Sequence, residues 1–115
     1  MLPESGKRLR IYIGESDRHE GMPLSEWLVR RAREEELAGA TVLRGVEGFG
    51  AHSRIHTSKI LRLSEDLPIV VEIIDTGEKI EHFLDVIDGV IDEGLATVES
   101  LEVRFYRSGD EDSAE

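Results

Sequence analysis

The stretch Pro68 to Asp75 constrains the fold more than any other. Ile69, Val70, Val71, Ile73 and Ile74 form a nearly unbroken apolar run. β-Branched side chains are stiff and suit a pleated strand better than a helix. A run that is apolar on both faces reads as a central strand of a sheet. Arg8 to Gly14 supplies a partner, because it alternates strictly. Leu9, Ile11 and Ile13 share one face, and Arg8, Arg10 and Tyr12 share the other, as in a half-buried strand. Thr41 to Val46 is β-branched and apolar, with Gly45 marking a bulge. Thr97 to Tyr106 alternates through Val98, Leu101, Val103 and Phe105, with a register break near Ser100.

Two segments carry the helical period instead. Pro23 suits a first helical turn, and Leu24, Trp27, Leu28 and Ala32 follow at helical spacing. Glu26–Arg30, Arg30–Glu34 and Arg31–Glu35 sit four apart on the wet face, and Gly39 ends the helix. Asp75 or Thr76 can cap the second helix. Ile80, Phe83, Leu84, Ile87 and Ile91 trace its apolar stripe, and Gly94 stops it. Asp17 to Gly21 is polar connector. Glu47 to Asp66 is a long, partly irregular excursion, of the kind that is usually functional or mobile in a compact domain. Ala51 to Arg62 has few bulky apolar anchors and is expected to be mobile without a ligand.

The order is strand, helix, strand, excursion, strand, helix, strand. Two right-handed crossovers in that order fold as a ferredoxin-like βαββαβ sandwich, an α+β fold with an antiparallel sheet and both helices on one face. The other face, with Ile or Val at alternate strand positions, needs covering. The 115 residues suit one domain. Residues 1–108 are assigned to it, and 109–115 to an acidic, disordered tail containing Asp110, Glu111, Asp112 and Glu115.

Composition narrows the function. There are no cysteines, which excludes disulfides, zinc–thiolate sites and iron–sulfur clusters. The net charge of −11 disfavours nucleic acid as a partner. No apolar run approaches the roughly 20 residues of a membrane span, and no signal-peptide core follows the basic N-terminus, so a cytoplasmic protein without membrane insertion is expected. No Gly-x-Ser-x-Gly elbow and no Walker-type motif is present, and no nucleophile–base arrangement is visible. The expectation is a protein that is not an enzyme.

Several residues carry candidate chemistry. Gly48, Phe49 and Gly50 either let backbone N–H groups approach a phosphate or form a turn that needs glycine. Arg44, Arg54, Lys59 and Arg62 either draw an anion to the excursion or balance charge on a solvated loop. Arg54 is the strongest of them, beside Ser53 and Thr57, whose hydroxyls suit phosphate oxygens. His52 and His56, four apart, would share a helix face as metal ligands do, with Glu47 or Glu65 as a third ligand; exposed loop histidines are the alternative. His19 and His82 read as surface residues, and Trp27 as core or interface packing.

Gly39 to Gly50 resembles the second strand of the PII signal proteins, in which Gly-x-Thr-Val leads into a Gly-Phe-Gly turn at the base of the T-loop. Here one extra residue is accommodated near Gly45. His56-Thr57 resembles the His-Thr pair in that loop, and Arg104 to Asp110 resembles the PII ending. The stretch Met22 to Asp75 is similar to an uncharacterised bacterial PII-like family, domain of unknown function 190, related to the PII nitrogen-regulatory proteins. Pro23-Leu24, Trp27-Leu28-Val29, Gly48-Phe49-Gly50, Ser53-Arg54-Ile55-His56-Thr57 and Leu63 to Pro68 carry that similarity.

The resemblance implies a homotrimeric signalling or regulatory protein with a T-loop-like excursion. It also implies a small anionic ligand at subunit clefts, with an adenine nucleotide as the candidate, and a membrane transporter or channel as the regulated partner. Such a nucleotide would lie between the Gly48-Phe49-Gly50 turn of one subunit and the last strand of the next. Thr41 and His52 would line it, and Arg104 or Arg107 would meet the phosphates. Three departures stand out. Ile60 replaces the modified tyrosine. Asp92-Glu93-Gly94-Leu95-Ala96 lacks the lysine of the phosphate loop. Arg104 and Arg107 are spaced by three rather than two. The rival reading is a divalent-metal-binding protein of the cation-tolerance type, which shares the fold.

Overall fold

The computed structural model describes residues 5–48 and 66–109, together with the backbone of 56–57. The elements run β1 Ser5–Gly14, β2 Arg18–His19, β3 Met22–Pro23, α1 Leu24–Glu34, β4 Ala40–Arg44, β5 Glu47–Gly48, β6 His56–Thr57, β7 Pro68–Asp75, α2 Gly77–Ile87 and β8 Leu95–Glu102. The main sheet has the order β4-β7-β1-β8 and every neighbour is antiparallel. This is the expected α+β ferredoxin-like sandwich. The apolar run 68–75 and the alternating strand 5–14 are the two central strands, paired directly from Lys7↔Asp75 to Gly14↔Pro68.

One face of the sheet makes the core. Leu9, Ile11 and Ile13 of β1 and Ile69, Val71 and Ile73 of β7 are buried against Leu24, Leu28 and Ala32 of α1 and Ile80, Phe83 and Ile87 of α2. Fully burying each large side chain stabilises the fold by roughly 1.5–3 kcal/mol, so these two strands and two helices hold most of the apolar energy. The opposite face holds Val70 and Ile74 at alternate positions of β7, as expected, but it is not apolar throughout. It carries an ion-pair ladder in which Glu99 pairs with Arg8, and Arg10 pairs with Glu72 at 2.9 Å and lies 3.9 Å from Glu99. Its apolar part includes a row across all four strands, Leu43, Val70, Tyr12 and Leu95, whose members lie directly opposite one another. Leu43 is 49% and Leu95 57% exposed.

The ends of elements differ from the sequence reading for local reasons. Pro23 is the N-cap of α1, one residue before its first turn. Gly39 does not stop α1. The chain turns at Glu36, which takes φ 60°, while Leu37 N–H donates to Ala32 O and Glu36 N–H to Arg33 O, both at 3.0 Å. That is a Schellman ending with glutamate where glycine is usual. On the wet face Arg31 pairs with Glu35 and Glu34, and Arg30 with Glu26; the expected Arg30–Glu34 pair is replaced by Arg31–Glu34. Thr76 caps α2, its Oγ1 accepting from Lys79 N–H. The helix ends at Ile87, well before Gly94, so Ile91 packs on the core from outside it.

The last strand starts at Leu95 and ends at Glu102, with unbroken register to β1 from Leu95↔Tyr12 to Glu102↔Ser5. No register break occurs at Ser100, whose Oγ accepts from Lys7 Nζ. The 17–21 connector contains a small hairpin, β2–β3, turning on Glu20 and Gly21, both at positive φ, as a two-residue type I′ turn requires. His19 is not a free surface residue, since its ring packs edge-on to Trp27 at 4.7 Å. His82 is exposed and bonds Glu35.

Candidate functional site

The strap that follows β8 builds the most distinctive feature of the molecule. Residues 103–106 leave the sheet edge and cross its end, where Tyr106 Oη donates to Ala38 O at 2.7 Å. The crossing is close: a Cβ on Gly6 would lie 2.9 Å from Asp75 O and 3.5 Å from Val103 Cγ2. Ala38 is fixed from the other side by Asp75. This buried carboxylate accepts Ala38 N–H at 2.8 Å and Thr76 N–H at 2.7 Å.

Between the strap and the sheet lies a cleft of about 530 Å³, lined by residues 38–41, Glu72, Ile74 and residues 101–106. That size falls within the range of small-molecule sites. Ile74 and Leu101 give it apolar walls, and Phe105 and Tyr106 give it aromatic ones. Thr41 on β4 stands directly opposite Glu72 on β7, which stands opposite Arg10 on β1. Arg10 Nε donates to Glu72 Oε2 at 2.9 Å. This hydrogen bond, ahead of the carboxylate's charge, raises the Arg10 pKa above its ordinary value and keeps the guanidinium charged. Arg104 lines the cleft and pairs with Glu102 at 3.2 Å.

Of the residues singled out from sequence, the cleft brings together Thr41 and Arg104. Arg107 lies outside the lining, its guanidinium 4.4 Å over the ring of Phe105. Gly48 lies in β5, paired with His56, and Glu47 pairs with Thr57. A short ladder therefore forms the base of the excursion. Phe49, Gly50, His52, Ser53, Arg54, Lys59 and Arg62 lie outside the described residues, as do the side chains of His56 and Thr57, most of the segment expected to be mobile, and residues 110–115 of the acidic tail. Arg44 pairs with Glu15 at 2.5 Å. Among the described residues no group of three or more His, Asp or Glu could hold a metal, and no helix is long and apolar enough to cross a membrane.

Sequence reasoning missed Glu72, Glu102, Phe105 and Tyr106 as lining residues. Glu72 had a signal: it is the single charged residue inside the apolar run 69–74. Tyr106 had none, because its partner is 68 residues away.

Comparison with known proteins agrees with this architecture. A UPF0166 protein of Aquifex aeolicus (strain VF5) is 45% identical over 99 residues, covering 86% of this chain and 93% of the relative. The UPF0166 protein MJ1524 of Methanocaldococcus jannaschii is 35% identical over 78 residues, 68% of this chain and 71% of that one. Among solved structures, CPII of Thiomonas intermedia K12, a nitrogen regulatory PII-like protein bound to ADP, AMP and bicarbonate, superposes with a TM-score of 0.65 at 17% identity, covering 86% of this chain and 88% of CPII. A putative PII-like signaling protein from Thermus thermophilus gives 0.63 at 18% identity, covering 87% and 90%. The divalent ion tolerance protein CutA1 of Ehrlichia chaffeensis gives 0.55 at 8% identity, covering 90% and 86%. These structures share the fold. The family model of DUF190, described as Uncharacterized ACR, COG1993, matches residues 6–103, and the chain belongs to that family.

Proposed function

We propose that this chain is a PII-like regulatory protein that binds an adenine nucleotide in the cleft under the 103–106 strap and signals occupancy to a membrane transporter or channel. The observation that carries the reading is the cleft itself. Its lining joins Thr41, Glu72 and Arg104 with the aromatic residues Phe105 and Tyr106, in a fold shared with a protein whose structure holds ADP, AMP and bicarbonate. The strap ties the cleft to residues 38–41, at the start of the strand that leads into the excursion. A ligand that shifts the strap would therefore act on the start of β4, the strand that leads into the excursion. The role is binding rather than catalysis.

The assembly proposed is a homotrimer. β4 and β8 end the four-stranded sheet, and the row Leu43, Val70, Tyr12, Leu95 leaves apolar area on the open face. Contact between two unlike edges is head-to-tail, and such contacts close into rings when the rotation allows. The expected result is a trimer by light scattering at micromolar concentration; a stable monomer would refute it.

Titration of the pure protein with ATP, ADP, AMP and cyclic nucleotides tests the ligand. Saturable binding that weakens in Arg104→Ala is expected, and no heat or thermal shift with any of them at millimolar ligand removes the nucleotide reading. The rival, a metal-binding role, draws on the likeness to CutA1. Calorimetry with copper or zinc on the wild type and on His52→Ala and His56→Ala separates the two.

A further inference from the structure

Resting on the nucleotide reading above, we infer that the cleft discriminates by charge: it takes an adenine nucleotide with one phosphate in preference to a triphosphate, and Glu102 is the residue that discriminates. Three charged side chains line the cleft, Glu72, Glu102 and Arg104. Arg104 is the one cation among the described lining residues, and Glu102 already lies 3.2 Å from it. Both side chains are well exposed, so their pair is weak and can be shared. A guanidinium has five N–H donors in a planar fork. One phosphate can therefore take the donors that Glu102 leaves.

A second and third phosphate change the balance. They add negative charge but meet no further cation of the described lining, Arg107 being outside it and stacked on Phe105, while Glu102 stands beside Arg104. In a partly enclosed cleft such repulsion is stronger than in bulk water. Arg10, behind the floor, is held by Glu72 at 2.9 Å, with Glu99 3.9 Å away, so the Arg10–Glu72 pair adds little net charge of either sign and Glu102 is the carboxylate that opposes the further phosphates. Glu72 itself is half-buried and acceptor-only when ionised. Beside Thr41 it suits the hydroxyl or amino groups of the nucleoside. Glu72 thus takes the neutral part of the ligand, and Arg104 takes a single anionic group.

The test is calorimetric titration of the full chain with AMP, ADP and ATP at fixed ionic strength, for the wild type, Glu102→Gln and Glu72→Gln, with circular dichroism confirming that each variant is folded. Affinity is expected to fall from AMP to ATP. Glu102→Gln should tighten ATP by about tenfold and AMP by less, so that the ratio narrows. Tighter binding of ATP than of AMP by the wild type overturns the inference, as does an ATP-to-AMP ratio unchanged in Glu102→Gln, and nucleotide binding itself would still stand. Failure of all three nucleotides to bind would remove the underlying reading and this inference with it.

Discussion

Asp75 Oδ2 accepts the backbone N–H of Ala38 at 2.8 Å. The carboxylate sits at the end of the central strand β7 and is buried, and its other oxygen takes Thr76 N–H at the start of α2. One side chain therefore fixes the entry to β4 and the first turn of α2 together. Because Ala38 O in turn receives Tyr106 Oη, the position of the strap depends on Asp75 as well.

Removing that carboxylate orphans two backbone donors. Hydrogen bonds to charged groups contribute about 1.5–3 kcal/mol each, with partial compensation by water. Asp75→Ala is expected to lose about 2–4 kcal/mol in urea denaturation, and Asp75→Asn less, because the amide keeps one acceptor. A loss below about 0.5 kcal/mol in Asp75→Ala would show that the two N–H groups find other partners at no cost.

Glu36 is the left-handed residue that ends α1. A side chain with a Cβ costs roughly 1–2 kcal/mol there relative to glycine, and glycine loses about half of that gain through the unfolded chain. Glu36→Gly should therefore leave the melting temperature unchanged or raise it, despite the usual penalty for glycine. Glu36→Val should lower stability by about 1 kcal/mol or more, since β-branching is worst at positive φ. The reverse order of the two variants in thermal melts would contradict the ending described.

These positions also show what sequence could and could not reveal. The central strands were legible because burial imposes a pattern: β7 is apolar on both faces and β1 alternates. The helices were legible in their stripes but not in their ends, since the α1 ending uses Glu36 rather than Gly39. The edge strands β4 and β8 are largely exposed on both faces, so their ends were blurred, and the two-residue ladders are too short to have a period. In the cleft, Thr41 and Arg104 were reached through a family resemblance. Glu72 was readable as a lone acid in an apolar run, whereas the strap contact between Tyr106 and Ala38 is purely tertiary.

Gly45 marks the break between β4 and β5, and its role is one of space. Its N–H donates to Pro68 O at 2.7 Å, and a Cβ there would lie 2.6 Å from Pro68 Cγ. The pyrrolidine ring cannot swing aside as a long side chain could. Gly45→Val should cost about 1–3 kcal/mol through overpacking. The Pro68→Ala background, lacking Cγ, should recover part of that loss. A double-mutant cycle with no coupling between the two sites would refute the close approach.

The ion-pair ladder predicts a pH dependence of definite sign. Arg8 donates to Glu99 Oε1 through both Nε and Nη2. These hydrogen bonds first, and the charge of Arg8 second, hold the Glu99 carboxyl below its ordinary 4.5. A group whose native pKa is lowered contributes stability above its unfolded value and loses it as pH falls through the native value. The stability difference between wild type and Glu99→Gln should thus be constant from neutrality down to about pH 5 and should shrink below the ordinary 4.5. Because the pair is exposed, the difference should be small and should shrink further in high salt. Urea midpoints measured for both proteins between pH 7 and pH 3 check this. A difference that stays flat down to pH 3 would mean that Glu99 gains nothing from Arg8.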